Sequence, residues 1–169
     1  QLMQPKSVRF WHDQIFYKPA SHGGVVAWHQ DYSYWTCTEP MGHLTVFIGL
    51  DATTQENGCL HLVPGSHRWP LLPMTQLFGG EDCMERIKEV LSTEQLEQFK
   101  PEPLPLRAGE ASFHHPLTVH GSYANRTDRP RRALVLNYML PDTRSASDEP
   151  LMPGSEPVPR GRMVSGDWV

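Results

Sequence analysis

The sequence has few cysteines, no long apolar run and no excess of charge of either sign. Each shortage closes a route. Cys37, Cys59 and Cys83 are an odd set without tight spacing, so they form neither a disulfide framework nor a thiolate zinc site. A cytoplasmic or other intracellular, reducing compartment is the expectation. No stretch approaches the ~18 apolar residues that a membrane helix needs, and no membrane partner is expected. The net charge is −4 and the pI about 6.1, with basic residues scattered apart from one cluster at Arg126, Arg129, Arg131 and Arg132. That is no electrostatic footprint for nucleic acid.

Proline and glycine, by contrast, are plentiful. Sixteen prolines and thirteen glycines in 169 residues cut the chain into short elements joined by turns, which suits a β-rich domain. The length suits a single domain, 1–169. The text opens at Gln1 in mid-pattern, so an N-terminal portion of that domain is expected to precede it.

Strands are expected at residues 8–17, with Phe10, Gln14 and Phe16 on one face, and at Val25–His29. Residues 44–50 (LTVFIGL) form a nearly continuous β-branched and aromatic run, the mark of a buried strand. Asn57-Gly58 is a strong turn dipeptide before a strand at 59–63, which Pro64-Gly65-Ser66 stops. Helical character is confined to residues 81–99, where Ser92-Thr93-Glu94-Gln95 reads as a capping box that starts a second helix. The chain returns to β structure at 101–105, 111–114 and 132–139, and the tail, 141–169, reads as irregular loop. About seven short strands with one helical insertion suggest an all-β core, a double-stranded β-helix or jelly roll. An immunoglobulin-like sandwich fits the strand count but lacks its paired cysteines and buried tryptophan.

Nine histidines are present, so the question is which of them stand with other ligand types. The segment Trp28-His29-Gln30-Asp31 is the leading candidate. On a strand, residues i and i+2 share a face, so His29 and Asp31 present an imidazole and a carboxylate to one ion while Gln30 points away. Two histidines and one carboxylate on one face of an octahedron leave open positions, the pattern of non-haem Fe(II) in oxygen chemistry. His120, in Leu117-Thr118-Val119-His120-Gly121-Ser122, is the candidate third ligand. Arg131 follows eleven residues later at the head of an apolar strand, where its planar fork suits a carboxylate. Ser122 is placed to hydrogen-bond the same carboxylate. Tyr34 and Trp35 directly follow the ligand loop and read as pocket walls. They and Gln30 are assigned to the substrate. His114 and His115 point to opposite faces, so at most one of them reaches the barrel interior. Asn125-Arg126-Thr127 reads as turn chemistry rather than a glycan acceptor.

His29-Gln30-Asp31, Asn57-Gly58-Cys59-Leu60, Pro64-Gly65-Ser66-His67-Arg68, His120-Gly121-Ser122 and Arg131 occur in that order. Together they resemble the phytanoyl-CoA dioxygenase family of Fe(II)/2-oxoglutarate oxygenases, over roughly Gln14 to Met139. The resemblance implies a jelly roll, with Fe(II) held by His29, Asp31 and His120. It implies 2-oxoglutarate anchored by Arg131 and Ser122, and O2 as the second co-substrate. The family spacing favours Arg131 over its neighbour Arg132. It also places Gln14, Phe47 and Lys18 near the co-substrate. The carboxylate of Asp31 stands where halogenating relatives carry a small residue. Hydroxylation of a small molecule, or a related desaturation or epoxidation, is therefore the implied outcome, with release of succinate and CO2. The alternatives are a cupin-like metal-binding or sensing module and a zinc hydrolase on the same three ligands.

Overall fold

The computed structural model describes residues 7–165. Two antiparallel sheets face each other. The first is built from β1 (Arg9–Lys18), β10 (Arg131–Met139), β4 (His43–Gly49) and β8 (Ala111–His114), in that spatial order. The second runs β6 (Phe78–Gly79), β2 (Val25–His29), β9 (His120–Ser122), β5 (Leu60–Leu62) and β7 (Glu102–Leu104). Hydrogen-bonded neighbours are distant in sequence, and the chain crosses from one sheet to the other along most of its course. This is the expected jelly roll.

Alternation explains which side chains point inward. In β10, Arg131, Ala133, Val135, Asn137 and Met139 are buried, while Arg132 is exposed and Leu134, Leu136 and Tyr138 are half-buried. Period-two burial of this kind fixes strand register against the core. In β1 the expected single face is broken. The register shifts between Phe10 and His12, and this irregularity turns Phe10 outward, to 48% exposure. Gln14 and Phe16 still line the central cavity, Phe16 half-buried and Gln14 exposed. An extra residue in one strand reverses the facing of everything on one side of it.

Between the sheets Phe47, Leu60, Ala133 and Val135 pack together, with Phe16, Leu104 and Leu106 against them. A larger cluster lies around Trp28, Val63 and Val119, and Cys83, Met84, Ile87 and Leu91 of the helical insertion pack onto it. The insertion is a 3-10 turn, Glu81–Glu89, followed by helix α1, Thr93–Gln98. The first expected helix is therefore a tighter turn. The expected capping box is present, with Ser92 Oγ accepting from Gln95 N and Gln95 Oε1 accepting from Ser92 N.

The tail departs from plain loop. β11 (Arg144–Ser145) pairs with β3 (Thr38–Glu39), and Leu151 and Val164 are buried against Trp11 and Met139. Among the described residues no helix is long and apolar enough to cross a membrane.

Candidate active site

Strand pairing brings the two candidate histidines together. His29, the last residue of β2, is directly opposite His120, the first of β9. Their rings lie 4.2 Å apart between centroids. Asp31 reaches them differently from the expectation of a shared strand face. The chain leaves β2 after His29, and Asp31 opens a 3-10 turn, Asp31–Tyr34. Tyr32 N donates to Pro116 O at 3.0 Å and ties that turn to the segment before β9. The turn delivers Asp31 Oδ1 to 3.4 Å from His29 Nε2 and 3.5 Å from His120 Nε2. The three donor atoms all lie within 4.8 Å of one another.

Proton placement suits a metal. His29 Nδ1 lies 2.7 Å from Ala27 O, and His120 Nδ1 lies 2.9 Å from Thr118 O. A carbonyl only accepts, so each Nδ1 carries a proton, which leaves Nε2, on the side of Asp31, as the atom each ring offers to a metal. Burial pushes His120 down to about 3, which keeps it neutral near pH 7. Burial alone would raise Asp31. The neighbouring His120, with contacts from His114 and His29, outweighs it and holds the carboxyl well below the usual range. Two imidazoles presenting Nε2 and one carboxylate are the donor set that Fe(II) takes with open positions to spare.

A second polar centre stands in the same cavity, which has a volume of about 250 Å³. Arg131 is 1% exposed. Its Nη2 donates to Ser122 Oγ at 3.0 Å and to Gly58 O, and Ser122 Oγ donates to Gly58 O at 2.9 Å. The guanidinium lies 5.8 Å from the Phe47 ring centroid. Its Nε and Nη1 are buried without a hydrogen-bond partner among the described residues. Asp51, the acid near this end, is engaged instead by the outward-facing Arg132, at 2.8 Å. Buried donors are ordinarily satisfied, and a buried cation ordinarily has an anion beside it. Arg131 therefore fits an anionic group entering the cavity, and its fork suits a carboxylate.

The remaining expected residues divide. Gln14, Phe47, Tyr34 and Trp35 line the cavity. Gln30 does not, and its assignment to the substrate is corrected. It is fully buried, with Oε1 accepting from Leu72 N at 2.8 Å and Nε2 donating to Leu117 O at 3.0 Å and Pro70 O at 3.3 Å. Its amide is used up in clamping the 70–72 segment beside the ligand loop. Lys18 is also outside the cavity wall. Its Nζ donates to Gly24 O at 2.9 Å and Ser122 O at 3.3 Å, so it braces the Ser122 backbone. Burial, with Arg131 adding to it, pushes Lys18 down to about 7.

Of the adjacent histidines, His114 faces the cavity, and His115 stacks toward His67 at 5.8 Å. The two N–H groups of the Asn125 amide are shared among three carbonyls, of Arg129, Pro19 and Lys18, as turn chemistry requires. Residues missed from the sequence are Thr45, whose hydroxyl donates to Asp31 Oδ2 at 2.6 Å, and Asn137, at 3.1 Å from Thr45. The helical insertion backs β2. Leu77, just ahead of it, lines the cavity.

A jelly roll enclosing two histidines and a carboxylate is the fold and donor set of the non-haem Fe(II) oxygenase class. Within that class the chain belongs to the phytanoyl-CoA dioxygenase (PhyH) family, which it matches over residues 2–133. It is 33% identical over 137 residues to a Stutzerimonas stutzeri protein described as "Probable alpha-ketoglutarate-dependent hypophosphite dioxygenase", covering 81% of this chain and 47% of that one. It is 34% identical over 126 residues to a methylphosphonate hydroxylase of Gimesia maris, covering 75% and 43%. The solved structure of the epimerase SnoN with Fe3+, alpha ketoglutarate and nogalamycin RO is similar at a TM-score of 0.76 and 25% identity, covering 95% of this chain and 63% of that one. The chain thus spans about half the length of the curated relatives it matches.

Proposed function

We propose that the protein is an Fe(II)- and 2-oxoglutarate-dependent dioxygenase that hydroxylates a small molecule and releases succinate and CO2. The observation that carries this reading is Arg131, a buried guanidinium whose Nε and Nη1 have no partner among the described residues and which lines the same cavity as His29, Asp31 and His120. A metal-sensing module or a zinc hydrolase has no use for it. A dicarboxylate co-substrate needs both a metal and an anion site at a fixed separation. In this reading His29, Asp31 and His120 hold the iron, while Arg131 and Ser122 hold the distal carboxylate.

When bound, Fe(II) and 2-oxoglutarate supply the activation of O2 and the oxidising equivalents. The chain's own residues orient and enclose. Ala27 O and Thr118 O fix the imidazole tautomers, Thr45 steadies Asp31, and Phe47, Leu60 and Val135 make the cavity wall apolar. The Asp31 carboxylate supports hydroxylation over halogenation. Trp35 and Tyr34 are the proposed substrate walls. The two curated relatives are named for small phosphorus acids, which supports a small substrate here. Three free cysteines suit a reducing compartment.

Anaerobic addition of 2-oxoglutarate to the Fe(II) protein should produce a visible charge-transfer band. Asp31→Ala should lose it together with succinate release. Absence of the band at saturating co-substrate would overturn the reading in favour of a metal-binding module. A succinate-release screen over a metabolite library then identifies the substrate.

A further inference from the structure

One residue from each strand of the first sheet lies in a single row across it. His12 on β1 is opposite Asn137 on β10, Asn137 is opposite Thr45 on β4, and Thr45 is opposite His114 on β8. All four are buried. Directly opposed residues point to the same side of an antiparallel sheet, so the row forms a continuous polar stripe across the inner face. Asp31 comes from the other side of the barrel and meets that stripe. Its Oδ2 lies 2.6 Å from Thr45 Oγ1 and 3.3 Å from His114 Nε2. Its Oδ1 faces His29 and His120. The two oxygens of one carboxylate are thus divided between the two sheets.

The protons in the row can be placed by counting. Thr45 Oγ1 lies within hydrogen-bond distance of both Asp31 Oδ2 and the Asn137 side-chain amide, 3.1 Å away, and a hydroxyl has one proton to give. The acceptor-only carboxylate takes it. The structure sets Asn137 Oδ1 toward Thr45 and Nδ2 toward His12 Nε2, 2.9 Å away. With the Thr45 proton spent on Asp31, two acceptors would then face each other, so the count turns the amide over, N–H toward Thr45 and C=O toward His12. The oxygen and nitrogen of an amide are assigned by such networks. Every bond then points the same way: His12 Nε2–H to Asn137, Asn137 N–H to Thr45, Thr45 O–H to Asp31.

We propose that the His12–Asn137–Thr45 relay, with His114 as a second contact, holds Asp31 Oδ2 so that the carboxylate offers the metal only Oδ1. These are positioning residues. The inference rests on the Fe(II) reading above, and adds His12, Asn137 and His114 to the residues which that reading uses. A one-oxygen carboxylate keeps a coordination position free that a bidentate one would occupy.

The test is Co(II) binding and the visible spectrum of the Co(II) protein, which need no turnover. Thr45→Val should weaken Co(II) binding roughly 10–100-fold, the usual scale for losing a partner of a metal ligand, and should change the Co(II) bands. Thr45→Ser should restore both. Asn137→Leu, which removes no contact to Asp31, should weaken binding in the wild-type background and have no further effect in Thr45→Val, because coupled residues are non-additive. His12→Phe, which keeps a flat ring, should act in the same direction should Asn137→Leu not fold. Wild-type affinity and spectrum in Thr45→Val, or additive losses from Thr45→Val and Asn137→Leu, overturn the relay while leaving the metal site standing. A wild-type protein that binds no Co(II) overturns the metal reading and the relay with it.

Discussion

At the scale of single residues, Arg131 is an interior guanidinium with two nitrogens unpartnered among the described residues, an electrostatic cost that a bound carboxylate offsets. Arg131→Lys keeps the charge but loses the fork. It should raise the Kd for 2-oxoglutarate about 10–100-fold, the equivalent of one charge-assisted hydrogen bond of ~1.5–3 kcal/mol. Titration of the charge-transfer band measures this. An unchanged Kd would move the anion site away from Arg131. Lys18 stands behind it, with its pKa already pushed to about 7 by burial and by Arg131. An arriving dianion favours the charged ammonium, so above pH 7 binding requires proton uptake. Affinity for 2-oxoglutarate should therefore fall as the pH rises from 7 to 9, by at most about tenfold per unit. Lys18→Met should flatten that slope, and a slope identical to wild type would remove Lys18 from the co-substrate's electrostatics.

At the scale of elements, the site depends on a turn. Gly58 has φ +81, and an added Cβ would run into Tyr123 O and the Lys18 side chain. Its own carbonyl receives both Ser122 and Arg131. Gly58→Ala should lower stability by roughly 1–3 kcal/mol and weaken 2-oxoglutarate binding as well, read by thermal melts and the same titration. A stability loss with unaltered co-substrate affinity would detach the turn from the anion site. Asn57-Gly58 was legible in the sequence because only certain residues tolerate that backbone. Strands with strong apolar patterns were legible too. Residues 44–50 were expected and His43–Gly49 is found, and Ala111–His114 agrees at both ends. β9 was not, since His120-Gly121-Ser122 has no apolar alternation. It is a strand because β2 and β5 flank it and the Trp28 ring packs over Gly121. The candidate metal ligands stood out by residue type and spacing. Thr45 and Asn137 did not, because what joins them is cross-strand register, and periodicity within one strand carries no information about which residue lies opposite.

At the scale of the whole molecule, enclosing so many imidazoles makes the fold acid-sensitive. His12, His29, His43, His114 and His120 are all buried. His43, packed among Trp11, Trp35 and Tyr32, is pushed down to about 4, chiefly by burial. His120 is pushed down to about 3, also chiefly by burial. In the unfolded chain both titrate near 6.5. As the pH falls below that value the unfolded state takes up protons that the folded state refuses, so the unfolding free energy falls with pH. Each histidine contributes at most about 1.4 kcal/mol per pH unit, and His43 stops contributing below about pH 4. Asp31 acts in the same direction at lower pH still, because its folded pKa is depressed and its contribution disappears only as it is protonated. A metal held by His29, Asp31 and His120 competes with protons for the same atoms. Thermal melts should show the metal-free protein losing stability steadily from pH 6.5 to 4.5. Added Co(II) should raise the melting temperature markedly at pH 7 and little at pH 5. A melting temperature independent of pH across that window would mean that His43 and His120 are hydrated in solution. A Co(II) shift of equal size at both pH values would mean that the ion binds somewhere other than these imidazoles.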